Sequence, residues 1–229
     1  IDVSVASSRV AKLTSAKGFQ ENLIVFADNA QFVLKGGELL TPKTVSVTPV
    51  TNFDLEDNVD PLPLGAYIYF PFTRGSFTGV REFTVNASTD VYDSTEITEH
   101  VPAYIPKNIT DMAGTTSEDM IVLLSSDEPN SLYVYNYFWN NSAKVLSAWS
   151  KFTFADVIRG MEFIDSTLYM ITADSHSNTH LLSLPLESGR TDIDHNSASA
   201  PFLSLLDKRV RVKVNAGSNQ IQFQQSNGT

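Results

Sequence analysis

A repeat of short apolar runs constrains this chain more than any other feature of its sequence. Four such runs recur at intervals of 44, 53 and 48 residues. Each is as long as a strand, and each is followed by Asn-, Asp-, Gly-, Ser- or Pro-containing turn residues and then by a second β-rich run. Each unit therefore predicts a β-hairpin. The first strands of the four hairpins are residues 23–26, 67–70, 120–123 and 168–171.

Further strands are predicted on both sides of every hairpin. A shorter segment marked by Gly or Pro precedes each one, and an outer strand follows it. The outer strands at 44–48 and 210–214 alternate polar and apolar residues, which is typical of a strand with one wet face. The segment at 97–105 matches this pattern less well. The predicted inner strands are 11–18, 59–65, 109–114 and 157–163, and the predicted outer strands are 44–48, 97–105, 145–154 and 210–214.

Four repeats of this kind predict an all-β chain, either a β-propeller or a propeller segment with about four visible four-stranded antiparallel blades. In a propeller each blade is covered by a neighbour on both faces, which would explain why the middle strands are apolar throughout. We place the blades at about 1–53, 54–105, 106–154 and 155–214 of a single propeller-like domain, residues 1–229. A β-sandwich also joins short strands by turns, but it gives no reason for four repeats of this length.

The composition excludes several classes of function. The chain carries 16 basic and 26 acidic residues, a net charge of −10. Proteins that grip nucleic acid draw most of their affinity from Lys and Arg, so DNA is expected only as cargo that slides past an acidic wall. The absence of cysteine excludes disulfides and thiolate chemistry. No apolar run approaches the roughly 18 residues of a membrane span. A first residue that is not Met predicts a processed or trimmed product.

Three acidic residues are the candidates for catalysis. Asp60, Asp111 and Glu162 lie on three successive predicted inner strands. Inner strands converge on the axis of a propeller, so these carboxyl groups could form a glycosidase-like acid/base set. They would then be about 5–5.5 Å apart for retention or about 6.5–9.5 Å apart for inversion. The alternative, which we prefer, is that they cap loops or line a polar channel. No residue is therefore assigned as catalytic, cofactor-binding or metal-binding.

Two groups of residues resemble metal ligands without the required context. His176 and His180 are four positions apart, but they flank a predicted hairpin turn, where that spacing does not bring two imidazoles together. Asp54, Glu56 and Asp57 form an acidic cluster with Asp60, which suits either a solvated loop or a Ca²⁺ site. We expect a solvated turn in both cases.

Aromatic residues are expected mostly in the core. Trp139 and Trp149 could form an exposed platform for a sugar or a protein, although burial between blades is the preferred interpretation. Phe70, Phe72 and Phe77 bracket Arg74 and Gly75, so Arg74 could form a cation–π contact or tether the backbone.

Three stretches of the sequence resemble a known family. They are residues 1–7 (IDVSVAS), 69–82 (YFPFTRGSFTGVRE) and 100–106 (HVPAYIP). They are similar to the central part of tail tubular protein B, the nozzle protein of short-tailed bacteriophages of the Autographivirus group. The resemblance extends to about residue 173 and rests on fold-level signatures, so it designates no active site. Family members are considerably longer, which implies that this chain is an internal fragment.

The resemblance implies a structural role in the virion and no enzymatic activity or cofactor. Nozzle proteins form a homohexameric ring at the distal end of the tail, built around a propeller-like domain. They dock on the tail adaptor, help to seat the tail fibres and enclose the channel through which DNA is ejected. The acidic charge of the chain suits such a channel. The alternative is a glycan-binding or glycan-hydrolysing propeller that uses Asp60, Asp111 and Glu162.

Overall fold

The computed structural model describes residues 11–20, 22–35, 45–86, 91–141 and 143–186. Within these ranges the chain forms fifteen strands in four antiparallel sheets. In every sheet each strand pairs with the next one along the chain. The same ranges contain no helix with the length and apolar character of a membrane-spanning segment.

The sheets follow one another along the sequence. Sheet 1 contains β1 (Leu13–Phe19), β2 (Asn22–Ala27), β3 (Gln31–Lys35) and β4 (Ser46–Thr51). Sheet 2 contains β5 (Leu62–Leu64), β6 (Tyr67–Arg74), β7 (Phe77–Asn86) and β8 (Val91–Glu96). Sheet 3 contains β9 (Ile109–Thr115), β10 (Met120–Ser125), β11 (Ser131–Asn140) and β12 (Ala143–Thr153). Sheet 4 contains β13 (Val157–Ile164), β14 (Thr167–Ala173) and β15 (Thr179–Pro185) among the described residues.

The prediction of an all-β chain built from repeated antiparallel sheets is confirmed. The predicted outer strand at 97–105 is wrong, because the strand in that position is β8 and residues 97–105 form turns. Pro102 removes a backbone donor that a strand ladder would need. Thr98 is fully buried, and its hydroxyl accepts a hydrogen bond from the backbone N–H of Val80 at 3.0 Å. The predicted strand at 210–214 lies outside the described residues.

Consecutive sheets pack face to face, and a separate hydrophobic core lies at each contact. Phenylalanines dominate the core between sheets 1 and 2, tyrosines are prominent between sheets 2 and 3, and aliphatic side chains with methionine fill the core between sheets 3 and 4. Representative members are Phe26, Phe70 and Phe83 for the first core, Tyr69, Tyr133 and Tyr135 for the second, and Val122, Leu132 and Met170 for the third.

The middle strands take part in two cores at once. On β6, Phe70 packs against sheet 1 and Tyr69 packs against sheet 3. On β10, Ile121 faces sheet 2 and Val122 faces sheet 4. Successive side chains of a strand point to opposite faces, so a strand covered on both sides is apolar at every position. This double burial explains the continuous apolar runs of the sequence.

Inner strands of neighbouring sheets are also in contact. Gly114 on β9 lies so close to Leu62 and Leu64 of β5 that a Cβ atom there would come within 2.9 Å of one leucine methyl and 3.0 Å of the other. The hydroxyl of Thr115 donates a hydrogen bond to the carbonyl of Asp165, just after β13, at 3.0 Å. The inner strands of sheets 2, 3 and 4 therefore lie side by side in sequence order.

Candidate functional site

A buried ion pair joins sheets 2 and 3. The ammonium group of Lys144 on β12 lies 2.6 Å from Oε2 of Glu82 on β7. The side chain of Glu82 is 6% exposed and that of Lys144 is 16% exposed. The hydroxyl of Tyr69 donates a second hydrogen bond to the same carboxylate oxygen at 2.8 Å. Because charges are costly to bury singly, the two partners depend on each other.

Aromatic rings surround the ammonium group of Lys144. Its nitrogen lies 4.9 Å from the ring centroid of Trp139, 5.7 Å from that of Tyr135 and 5.9 Å from that of Tyr67. Tyr67 and Trp139 stack almost in parallel, with centroids 5.5 Å apart. Residues 135, 137 and 139 alternate along β11, so all three rings face sheet 2. Together with Tyr67 and Tyr69 of β6, these three rings form an aromatic wall at the contact between sheets 2 and 3.

The environment of this wall keeps its phenol groups protonated. Burial, together with the Glu82 carboxylate and its hydrogen bond, raises the pKa of Tyr69 well above its usual value. Burial also raises the pKa of Tyr137, and the negative charges of Asp119 and Glu82 raise it further. Both phenols therefore stay protonated at neutral pH, and that of Tyr69 donates its proton to the hydrogen bond with Glu82.

Two pockets open beside this wall, and Trp139 lines both of them. The Glu99 pocket has a volume of about 480 Å³ and is lined by the Glu82–Lys144 pair, Trp139, Glu96, Glu99 and His100, among others. The Asp119 pocket has a volume of about 430 Å³ and is lined by Tyr67, Tyr137, Trp139, Gly65, Asp119 and Asn141, among others. Both volumes are within the usual range of small-ligand sites.

The three acidic residues proposed from the sequence have different surroundings. Asp60 forms an ion pair with Lys17 of β1 at 2.8 Å. Asp111 accepts hydrogen bonds from the backbone N–H groups of Met112 and Met161, each at 3.0 Å. Burial raises the pKa of Asp111, these two hydrogen bonds oppose the rise, and the charge of Glu162 adds to it. The charge of Glu162 thus acts on Asp111 across neighbouring sheets, whereas Asp60 has its partner in sheet 1.

The residues around His176 form a turn. The carboxylate of Asp174 accepts hydrogen bonds from the backbone N–H groups of His176 at 2.8 Å and Asn178 at 2.9 Å. The pKa of Asp174 is lowered to about 2, mainly by the hydrogen bonds from Asn178. The ring of His180 lies 3.5 Å from the same carboxylate. Asp174 therefore organises the turn that joins β14 to β15.

The acidic cluster between sheets 1 and 2 is engaged by neighbouring side chains. Asp57 forms an ion pair with Lys12 at 2.9 Å, and Glu56 accepts a hydrogen bond from Asn58 at 2.9 Å. In the described part of the chain, no group of three or more His, Asp or Glu side chains is arranged to hold a metal ion. The solvated-loop interpretation therefore fits these contacts better than a Ca²⁺ site.

The structure also shows the surroundings of Trp149 and Arg74, which the sequence had singled out. Trp149 is partly buried against Tyr135, and its indole N–H donates to the carbonyl of Ile97 at 3.0 Å. The guanidinium carbon of Arg74 lies 5.6 Å from the ring centroid of Phe72, which is the first of the two roles considered from the sequence, and Arg74 also forms an ion pair with Glu96.

Sequence reasoning missed Arg81, which has the closest contacts with aromatic rings of any arginine in the described ranges. The guanidinium carbon of Arg81 lies 4.2 Å from the ring centroid of Phe53 and 4.8 Å from that of Phe72. Burial lowers the pKa of Arg81. Arg81 lies opposite Phe70 in the β6–β7 hairpin, which places it beside aromatic side chains of β6. The sequence shows this only when the register of the hairpin is known.

Among the described residues, the most deeply buried ion pair joins sheets 2 and 3. A family model for the bacteriophage nozzle protein matches residues 1–227. The chain therefore belongs to the bacteriophage nozzle protein family. As a member of this family, it is part of a structural protein of the phage tail.

A curated relative from Escherichia phage T7, named tail tubular protein gp12, is 30% identical to this chain over 221 residues. The alignment covers 95% of this chain and 27% of that protein, so the chain spans about a quarter of the length of this relative.

Solved structures with a partial likeness include the N-terminal domain of Nup159, with a TM-score of 0.44 and 10% identity over 78% of this chain and 46% of that one. Hsv2 of Kluyveromyces lactis gives a TM-score of 0.42 and 13% identity over 76% of this chain and 48% of that one. Scores at this level do not establish a shared fold.

Proposed function

We propose that this chain forms part of the wall of a six-fold nozzle ring that encloses the DNA-ejection channel of a phage tail. The observation that carries the proposal is the match of residues 1–227 to the nozzle family. The net charge of −10 supports it, because an acidic wall lets DNA pass without holding it. DNA is then cargo without a specific binding site, and the protein partners are further copies, the tail adaptor and the tail fibres.

The four sheets are proposed to be consecutive blades of a β-propeller, with boundaries near 1–53, 54–105, 106–154 and 155–214 in a single domain. Two observations support this arrangement. Each sheet packs on the next one along the chain, with one core at each contact. The inner strands β5, β9 and β13 lie side by side in the same order. Both are expected of blades arranged around a common axis.

A complementation experiment tests the structural role. Phage that lack their own nozzle gene are supplied with the full-length protein, either unchanged or carrying Gly114→Val. Valine at this position would collide with the side-chain methyls of Leu62 and Leu64, and its Cβ would lie 3.2 Å from the backbone oxygen of Met120, which cannot move aside as a side chain can. We therefore expect few particles with complete tails. Gly18→Ala on β1 is the matched control, because a Cβ atom there meets nothing within 4 Å. Electron microscopy counts the tails and the copies in each ring.

Two results would contradict the proposal. Tails that assemble normally with Gly114→Val, although the valine is present in the particle, would show that the contact between β5 and β9 is dispensable. Particles that lack the protein altogether, or rings without six-fold symmetry, would contradict the proposal that the protein forms the nozzle ring.

One observation favours the alternative of a glycan-cleaving propeller, namely that the charge of Glu162 helps to raise the pKa of the half-buried Asp111. The full-length protein is incubated with capsule and lipopolysaccharide from the host, and new reducing ends are measured. The structural proposal expects none. Activity that disappears with Asp111→Asn but persists with Asp60→Asn would favour the alternative.

A further inference from the structure

The Asp119 pocket has features that the proposed ring does not explain. Three aromatic side chains and one carboxylate converge there. Gly65, Asp119 and Asn141, which lie around the pocket, all have left-handed backbone conformations, with φ of 60°, 48° and 56°. Aromatic faces around an acidic group form a site for an organic cation.

The carboxylate of Asp119 is in an unfavourable environment. Burial raises its pKa, and the neighbouring charge of Glu118 raises it further. Among the described residues, no lysine, arginine or histidine forms an ion pair with it. A cation placed in the pocket would supply the missing counter-charge and would itself gain from the aromatic faces.

The neighbouring Glu82–Lys144 pair shows the same chemistry within the chain. There an ammonium group lies against a carboxylate and three aromatic rings, two of which, Tyr67 and Trp139, also line the Asp119 pocket. The positive charge of Lys144 does not repel a second cation strongly, because Glu82 neutralises it at 2.6 Å.

We propose that the Asp119 pocket receives an arginine side chain from a neighbouring protein subunit of the tail. Arginine suits this site better than lysine, because its planar guanidinium stacks on an indole or phenol ring while its N–H groups donate to a carboxylate. The origin of the arginine in a tail subunit rests on the proposed assembly role. The recognition of a guanidinium group does not, and it is tested separately.

The test uses arginine amide and citrulline amide as probes for the full-length protein. Citrulline has nearly the same shape but no charge. Ligand-observed saturation-transfer NMR gives the affinity of each probe for the wild type, for Asp119→Asn and for Asp165→Asn. Asp165 is the matched control, because it has a similar left-handed conformation (φ 53°) in the corresponding turn of sheet 4. Asparagine tolerates that conformation, so neither substitution strains the turn.

We expect arginine amide to bind with a dissociation constant of about 1 mM, as suits one small side chain. Asp119→Asn should weaken binding at least tenfold and Asp165→Asn less than twofold. Citrulline amide should bind at least tenfold more weakly than arginine amide. Higher salt should weaken the binding of arginine amide to the wild type, since part of the attraction is electrostatic.

Three results would overturn the proposal: equal binding of the two probes, an unchanged affinity with Asp119→Asn, or displacement of arginine amide by methyl α-glucopyranoside, which would identify a sugar pocket. The outcome is independent of the complementation experiment. A protein absent from the virion that still binds arginine amide through Asp119 would refute the nozzle role and leave the pocket assignment intact.

Discussion

Removal of the Lys144 ammonium group should destabilise the protein more than removal of any exposed lysine. Lys144→Met keeps much of the apolar stem but leaves the carboxylate of Glu82, 6% exposed, with Tyr69 as its remaining partner. Breaking a buried ion pair costs about 3–5 kcal/mol. Since 16% of the Lys144 side chain is in contact with solvent, we expect the lower end, a loss of about 3 kcal/mol in the free energy of unfolding.

The pair is best measured by a double-mutant cycle. Glu82→Gln alone should cost less than Lys144→Met, about 1–2 kcal/mol, because the aromatic rings continue to stabilise the ammonium group. The double variant should be more stable than the sum of the two losses predicts, by about 2 kcal/mol. Lys151→Met is the matched control. Its partner Glu128 is 41% exposed, so that pair should contribute about 0–1 kcal/mol.

Urea unfolding at pH 7, followed by tryptophan fluorescence, gives each free energy, and an unchanged slope shows that only stability has changed. The reasoning is refuted if Lys144→Met costs no more than Lys151→Met. It is also refuted if the two single losses add up to the loss of the double variant, because the two charges would then not depend on each other.

Two further predictions concern packing and pH. Gly79→Ala should lower the free energy of unfolding by about 1–3 kcal/mol, because the new Cβ atom would lie 2.3 Å from the buried ring of Phe72. Gly18→Ala has open space around it and should have no such cost. Thermal unfolding compares the two variants. The folded-state pKa of Asp174, about 2, is below the ordinary value of 3.8, so its carboxylate stabilises the fold above pH 4 and loses that effect as the pH falls to 2. The difference in stability between the wild type and Asp174→Asn should therefore shrink over that range, and a difference that stays constant from pH 5 to pH 2 would contradict this assignment.

The strands could be predicted because their signals are local. Runs such as residues 67–70 and 120–123 are apolar without interruption, and turn residues follow each hairpin strand. The prediction failed at 97–105, where Ile97 and Ile105 resemble strand residues. Both are buried as the ends of a turn segment, and burial alone does not distinguish an anchored turn from a strand.

The contacts of the candidate site could not be predicted, because they join residues far apart in sequence. Lys144 and Glu82 are 62 residues apart, and Lys17 and Asp60 are 43 residues apart. Each pair depends on the register of two sheets and on how those sheets face each other. The sequence predicted Asp60 on an inner strand, but Asp60 precedes β5 (Leu62–Leu64), so this placement is wrong. Nothing in the sequence indicated that a lysine of the preceding sheet would neutralise its charge.

The double burial of the middle strands changes what specifies their register. When one face of a strand is in water, a slip by one residue exposes every apolar side chain, and polarity alone prevents the error. On β10 the same slip would exchange Ile121 with Val122, moving each from one core into another that is equally dry. Shape must then distinguish the two alignments. The tyrosine-containing core on one side and the aliphatic core on the other differ in the volume and geometry of their side chains, so correct pairing of β10 depends on steric fit.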